Sequence, residues 1–437
     1  MTSGTTIFAP ASGFGRAAIA VIRVSGPACA SLLTALGGTL PPPRRLSLRT
    51  LRDPADGEVL DQALVAFLPG PATVTGEDMA ELHLHGGLAV RAGVIRALAA
   101  FPGCRPAEAG AFTRRAVLNG RLDLTEAEGI ADLIDAETEA QRRQALRQLD
   151  GALGRQVAAW RERAIGCLAG AEAALDFSDE GDVDEAALDA GLLDEALALR
   201  DEIAAALADE RRGERLREGF TVVIAGPPNA GKSTLLNALS RREAAIVSAQ
   251  PGTTRDAIEV RCDLGGLPVI LVDTAGLRET EDAIEAEGIA RTRRRMASAD
   301  LVLRLVPPDG AASPPLSAGA RCLPVRTKAD LAGAPGEGLA VSALTGAGLD
   351  RLLDAIRAEA EAALEGGDAL ITRERHRDAL ARCLAHLERV LAGADRLPPE
   401  LVAEDLRLAV RALGEVAGQV GVEEMLDRLF SGFCIGK

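Results

Sequence analysis

Between Gly226 and Ser233 the chain reads GPPNAGKS. Two glycines five places apart, followed at once by a lysine and a hydroxyl, suit a loop that wraps phosphate oxygens. The context agrees: FTVVIA at 220–225 is a short apolar, β-branched run that reads as a buried strand, and TLLNALS opens a helix. In such a loop the backbone around Asn229, Ala230, Gly231, Lys232, Ser233 and Thr234 closes on phosphate. Lys232 reaches the β- and γ-phosphates of a nucleoside triphosphate, and Ser233 binds Mg²⁺.

The remaining parts of a nucleotide switch follow in order. PGTTRD supplies Thr253 and Thr254, hydroxyls suited to Mg²⁺ and the γ-phosphate. IEVRCDLGGLPVILVDTAG reads as two strands around Gly265-Gly266 and ends in Asp273-Thr274-Ala275-Gly276. Asp273 would hold the Mg²⁺ shell, and the Gly276 N–H would sense the γ-phosphate. The strand CLPVR leads into Thr327-Lys328-Ala329-Asp330. A carboxylate at Asp330 accepts from both the ring and the amino N–H of guanine, a pair adenine lacks, while the Lys328 stem packs along the base. Ser342-Ala343 offers a backbone contact to the guanine edge. The ordered set implies a GTPase.

Two positions depart from the usual pattern. Thr327 stands where Asn is common, so the amide that braces the loop and meets the base is missing. Leu277 stands where Ras-like enzymes place a water-orienting glutamine. Hydrolysis then needs another group: Asn229 is a candidate cation ligand, and an acid within RETEDAIEAEGI could orient water, although each of those acids also suits a solvated helix face.

The elements that must position these groups belong to a chain of 437 residues, enough for two to four domains at about 100–200 residues each. Hydrophobic residues at 47% and charged residues at 26% fit a globular protein. Aromatics at 2%, with no tyrosine, leave a core of Leu, Val, Ile and Ala and a poor platform for stacking bases. The net charge of −15 argues against a general nucleic-acid coat, though not against a local basic patch. No apolar run approaches the roughly 20 residues that span a bilayer, MTSGTTIFAP lacks signal-peptide regions, and the 7 scattered cysteines fit a reduced, cytoplasmic chain with no membrane role.

Residues 1–120 read as a compact α/β domain, with strands in AAIAVIRVSG, DQALVAFLPG and MAELHLHGG and helices near 28–36, 88–100 and 108–118. Arg23, Glu81 and Arg121 are polar residues near strand ends, each of which also suits a surface ion pair. His83 and His85 share a strand face, but without a third ligand nearby they read as structural. Residues 121–215 read as helical, opened by a capping box at Thr125 and Glu128. The GTPase occupies 216–368, and helices resume over 369–437, so the GTPase reads as an insertion into one helical domain. Arg211, Arg212, Arg215 and Arg217 at the insertion point suit a hinge better than an RNA contact.

Lysine occurs only at Lys232, Lys328 and Lys437. Two of these are nucleotide contacts, which makes the third, in GFCIGK, a candidate site residue. An opening APASGFGRAA, then GPPNAGKS, PGTTRD, DTAGLRE and FCIGK, in that order over essentially the whole chain, resembles the tRNA-modification GTPase family MnmE (TrmE). FCIGK is the most specific of these, because ordinary GTPases lack it. The resemblance implies a multidomain α/β plus all-α protein: an N-terminal folate-binding and dimerisation domain, a helical domain and an inserted Ras-like P-loop GTPase. It implies 5-formyltetrahydrofolate held by Arg23, Glu81, Arg121 and Lys437, and K⁺ held by Asn229, Ser248, Gln250 and Thr253. It further implies a water-positioning Glu285, a homodimer, and a heterotetramer with a flavin-dependent partner, MnmG, acting on C5 of the tRNA wobble uridine. Cys434 is a candidate nucleophile on the pyrimidine, or else a small buried hydrophobe. A ribosome-assembly GTPase and a stand-alone folate enzyme with a regulatory GTPase are the competing readings.

Overall fold

The computed structural model describes residues 4–13, 15–178, 190–209, 211–242, 259–273, 299–311, 321–331, 337–366, 369–393, 398–419, 426, 429–430, 432–433 and 436. They group into two compact units, Met1–Ala131 with Gly154–Arg161 and Val410–Lys437, and Asp132–Leu153 with Glu162–Ala409. The architecture is multidomain α/β plus all-α.

The first unit holds β1 (Thr6–Pro10), β2 (Ile19–Ser25), β3 (Ser47–Arg52), β4 (Val59–Leu68), β5 (Met79–His85) and β6 (Cys104–Pro106) in one sheet of order β3-β4-β5-β2-β1-β6. Its helices are α1 (Cys29–Gly37), α2 (Leu88–Ala100) and α3 (Ala111–Leu118). Side chains alternate across a strand. Ile22, Val24, Leu82 and Leu84 therefore pack with Leu32, Leu36, Val94 and Leu98 on one face. Ile7, Ala9 and Met79 meet Phe112 on the other. Arg23 and Glu81 fall on that second face, directly paired across β2 and β5.

Helix α4 (Leu124–Asp135) starts one residue before the expected capping threonine. The box sits two positions earlier than expected: Asp123 Oδ1 accepts from the Glu126 N–H at 2.8 Å, and Glu126 Oε2 accepts from the Asp123 N–H at 2.7 Å. Thr125 and Glu128 are instead buried. A second box, unforeseen, caps α5 (Glu139–Leu149) through Thr138 and Gln141.

Helix α6 (Ala152–Ser178) has residues in both units, and α7 (Ala190–Leu207) and α8 (Arg212–Glu218) lead the second unit into the GTPase sheet. That sheet contains β7 (Phe220–Ala225), β8 (Glu259–Leu264), β9 (Leu267–Asp273), β10 (Leu301–Val306), β11 (Cys322–Arg326) and β12 (Leu339–Ala340), in order β12-β11-β10-β7-β9-β8. Only β8 runs antiparallel to its neighbour. Strands covered on both faces read as unbroken apolar runs. Val222, Ile224, Leu271 and Leu303 pack with Leu235 and Leu239 of α9 (Lys232–Ser240) and Leu352 and Ile356 of α10 (Leu349–Leu364). Val223, Val272 and Val302 form the opposite side. Two helices follow, α11 (Glu374–Gly393) and α12 (Pro399–Ala417).

Helix α5 holds both chain crossings of the inserted domain with one face. Gln141 Nε2 donates to the Arg217 carbonyl at 3.0 Å, Gln144 Nε2 donates to the Gly213 carbonyl at 3.1 Å, and Thr372 donates to Gln148 Oε1 at 2.7 Å. The arginines of the entry segment are engaged within the protein. Arg211 pairs with Glu214 at 2.7 Å, Arg215 with Asp300 at 2.7 Å, Arg212 donates to the Glu365 carbonyl at 3.1 Å and Arg217 to the Thr372 carbonyl at 3.0 Å. Burial opposes the charge on Glu214, but hydrogen bonds from Arg377 and Arg211 outweigh it and hold its carboxyl below the usual range. This is the chemistry of a braced hinge rather than of a free RNA-binding stretch. Gln144→Leu will leave a buried carbonyl without its donor, a cost of roughly 1–3 kcal/mol. Amide hydrogen exchange in α8 should accelerate about five- to a hundredfold, while Arg143→Ala, on the exposed face of α5, should change it little.

Candidate functional site

The phosphate loop leaves the end of β7, between β10 and β9, where parallel α/β sheets bind ligands outside their carboxyl ends. Gly226 is required there, because a Cβ would come within 2.9 Å of the Leu305 Cβ. Asn229 (φ 60°) and Gly231 (φ 90°) both take the left-handed region, which curls the loop and turns the first N–H groups of α9 outward. Lys232 Nζ donates to the carbonyls of Gly226 and Pro227 at 2.9 and 3.0 Å, so the ammonium already arches over the loop.

Ser233 Oγ donates to Asp273 Oδ2 at 2.5 Å, bringing the end of β9 against the first turn of α9. Asp273 is fully buried. A hydroxyl and a carboxylate meeting beside a phosphate loop form an oxygen donor set that fits Mg²⁺, a hard cation.

The segment 327–330 is tied together as firmly. Lys328 adopts φ 56°, a left-handed conformation costing a non-glycine residue about 1–2 kcal/mol. The Ala329 N–H bond to the Val341 carbonyl at 3.0 Å holds that turn. Ser342 Oγ donates to Asp330 Oδ1 at 2.5 Å, and this hydroxyl keeps the Asp330 carboxyl below its usual range. Asp330 therefore stays an acceptor at neutral pH. Ser342 also accepts from the Thr345 N–H at 3.2 Å, fixing the turn that presents Ala343. Thr327 is buried, and its hydroxyl donates to the Ala230 carbonyl of the phosphate loop at 2.8 Å. The brace expected to be missing without an amide is made by a hydroxyl.

In the first unit Arg23 Nη2 meets Glu81 Oε1 at 3.3 Å, and His83 Nε2 meets Glu81 Oε2 at 3.3 Å. All three side chains are about a quarter exposed, at 25–27%. His85 pairs separately with Asp61 at 2.7 Å. Arg121 Nε donates to the Thr73 carbonyl at 3.3 Å, on the loop between β4 and β5. A buried network unmarked in the sequence connects that loop to β2. Ser25 Oγ lies 2.7 Å from Thr75 Oγ1 and donates to Glu77 at 2.9 Å, and Arg115 meets Glu77 at 2.6 Å. Nothing in the sequence singles out Arg115; its burial and its bond to Glu77 reveal the role.

Ser248, Gln250, Thr253, Thr254, Thr274, Ala275, Gly276, Glu285, Cys434 and Lys437 lie outside the described residues. Burial pushes the thiols of Cys29 and Cys383 up to about 12 and that of Cys262 to about 11, which makes them inert packing groups at neutral pH. Among the described residues no helix is long and apolar enough to cross a membrane. A polar cavity of about 340 Å³, lined by Arg217, Glu218, Arg261, Gln141 and Asp132 among others, includes no phosphate-loop residue in its wall.

A strand, a glycine-curled loop, a lysine and a serine bonded to a buried aspartate, on a mostly parallel sheet, define a P-loop GTPase. Two family models match the chain, "GTP-binding protein TrmE N-terminus" over residues 6–121 and "MnmE helical domain" over residues 124–434. The tRNA modification GTPase MnmE of Methylorubrum populi is 77% identical over 434 residues, covering 99% of this chain and 98% of that one. Its counterpart from Methylobacterium radiotolerans is 72% identical over 443 residues and covers 100% of both. That of Beijerinckia indica is 54% identical, covering 99% and 96%. The chain belongs to the MnmE family.

Proposed function

We propose that this GTPase acts in tRNA modification: K⁺-activated, and working with the flavoprotein MnmG, it installs an aminomethyl-type group at C5 of the wobble uridine while hydrolysing GTP to GDP and phosphate. The observation that carries the reading is the family match that extends beyond the GTPase segment on both sides, over residues 6–121 and 124–434, which a free-standing switch protein would not need. The domains run 1–120 for folate binding and dimerisation, 121–215 and 369–437 for the helical part, and 216–368 for the GTPase. The partners are a second copy, MnmG and tRNA, and the location is the cytoplasm.

Each proposed role has a chemical reason. Lys232 turns from its loop carbonyls to the β- and γ-phosphates, exchanging neutral acceptors for charged ones. The backbone from Asn229 to Thr234 surrounds the phosphates, and Thr274, Ala275 and Gly276 line the γ-phosphate side. Ser233 and Thr254 would hold Mg²⁺, with Asp273 fixing its shell. Bound Mg²⁺ offsets the charge on the phosphoryl oxygens. Asp330, Lys328, Ser342 and Ala343 read guanine. Asn229, Ser248, Gln250 and Thr253 would hold K⁺, and Glu285 orients the attacking water in place of the glutamine replaced by Leu277. Arg23, Glu81, Arg121 and Lys437 would hold 5-formyltetrahydrofolate or a related one-carbon tetrahydrofolate. Cys434 is the proposed nucleophile.

The experiment that tests the whole reading is nucleoside analysis of wobble uridines from cells lacking this chain, where the modified uridine should vanish and unmodified uridine appear. An unchanged nucleoside profile would overturn it. For the cation, GTP turnover should be roughly tenfold or more faster in K⁺ than in Na⁺ at matched ionic strength, the scale on which one preorganised electrostatic group acts at a transition state. Equal rates would remove K⁺ from the mechanism.

A further inference from the structure

Position 327 is a junction of three segments. Its N–H donates to the Val306 carbonyl at the end of β10 at 3.1 Å. Its hydroxyl donates to the Ala230 carbonyl, 97 residues earlier in sequence, at 2.8 Å. The next two residues form the left-handed turn at Lys328 and the Ala329–Val341 bond. Both ends of the tie are enclosed, with Thr327 at 7% exposure and Ala230 at 0%.

A threonine hydroxyl has one hydrogen to give. Here it goes to Ala230. Guanine N7 is an acceptor, and the Oγ lone pairs that remain at Thr327 offer it nothing. An asparagine amide has two N–H groups and can serve a loop carbonyl and a base together. The exchange of Asn for Thr thus keeps one function and drops the other.

We propose that Thr327 is a positioning residue that locks the base-reading loop to the phosphate loop through Ala230 and makes no hydrogen bond to the base, leaving guanine recognition to Asp330 and the Ser342-Ala343 turn. This rests on the guanine-nucleotide reading of the site. The lock sets the distance between the groups that grip the phosphates and those that grip the base, so its loss weakens any nucleotide that uses both ends, whatever the chemistry at N7.

The test compares GTP with 7-deaza-GTP, in which a C–H replaces N7, by equilibrium binding to the full-length chain. Thr327→Val removes the hydroxyl at nearly constant shape. It should weaken both nucleotides by the same factor, about three- to tenfold, the worth of one neutral hydrogen bond. Thr327→Ser, which keeps the hydroxyl, should restore both. A hydroxyl that donated to N7 would instead change the ratio of the two affinities across this series, whereas the lock moves both together and returns both with Thr327→Ser. If Thr327→Val does not fold, as judged by thermal unfolding without nucleotide, Thr327→Asn carries the test, tightening GTP about three- to tenfold and leaving 7-deaza-GTP unchanged. The proposal is overturned if Thr327→Val loses GTP more than 7-deaza-GTP, if it binds both as the wild type does, or if Thr327→Asn gains equally for both. A wild-type chain that binds neither nucleotide would instead remove the guanine-nucleotide reading itself, an outcome seen before any variant is compared.

Discussion

Asp330→Asn will cost GTP affinity on the order of a hundredfold or more and will raise affinity for xanthosine triphosphate. In the proposed site the carboxylate would accept two N–H bonds from guanine, and a hydrogen bond to a charged group is worth about 1.5–3 kcal/mol. An amide keeps one acceptor for the ring N–H but turns a donor toward guanine's amino group, where two donors face each other. Xanthine carries a carbonyl at that place and accepts. The substitution is clean because Ser342, whose hydroxyl donates to Asp330 Oδ1 at 2.5 Å, can donate equally to an amide oxygen, so the turn that presents Ala343 survives. The pH dependence follows from the same bond. The Asp330 carboxyl is held below its usual range by Ser342, so the charged acceptor is fully present at neutral pH and is lost only as pH falls through that lowered value. Competition binding with GTP and xanthosine triphosphate checks the exchange, and unchanged GTP affinity would show that Asp330 does not read the base.

The GTPase half was legible because its signals are local. FTVVIA is an apolar run closed by a glycine loop, and it forms β7 over Phe220–Ala225. Gly265-Gly266 separates β8 from β9 as the glycine turn implied. Of the three strands missed at the N-terminus, β1 is a short buried run, TIFAP, and the other two have the opposite character. β3, SLRTLR, alternates partly buried and exposed positions on a sheet edge, so it lacks an apolar run. β6 has three residues, and one is proline. The displaced cap on α4 has a related cause. Asp123-x-x-Glu126 and Thr125-x-x-Glu128 are overlapping frames of one motif, and only burial of the second pair decides between them. Thr327 shows the limit most sharply. Sequence revealed the absent amide, but the partner that replaces its brace lies 97 residues away and is a backbone atom. No spacing rule reaches that far.

Deleting Cys434–Lys437 should abolish tRNA modification while leaving basal GTP hydrolysis within about twofold, because terminal trimming spares chemistry built elsewhere. The described groups at the nucleotide site run from Gly226 to Ser342. A frayed end would leave both activities intact, so the two readings of GFCIGK diverge completely in one measurement of wobble nucleosides. Gly436 itself is a described residue with a close neighbour. It adopts φ 101°, and a Cβ there would lie 2.0 Å from the Pro10 carbonyl oxygen, a close approach to the end of β1 that only glycine permits. Gly436→Ala should therefore mimic the deletion in the modification assay without shortening the chain. Single changes then divide the tail's chemistry. Lys437→Ala should weaken formyl-folate binding by removing a cation, and Lys437→Arg should restore it only in part, since a guanidinium is wider than an ammonium. Cys434→Ser should leave folate binding alone and lose modification only if the thiolate attacks the ring. Full modification by Cys434→Ser would remove the nucleophile and leave Lys437 standing; full modification by the four-residue deletion would remove both.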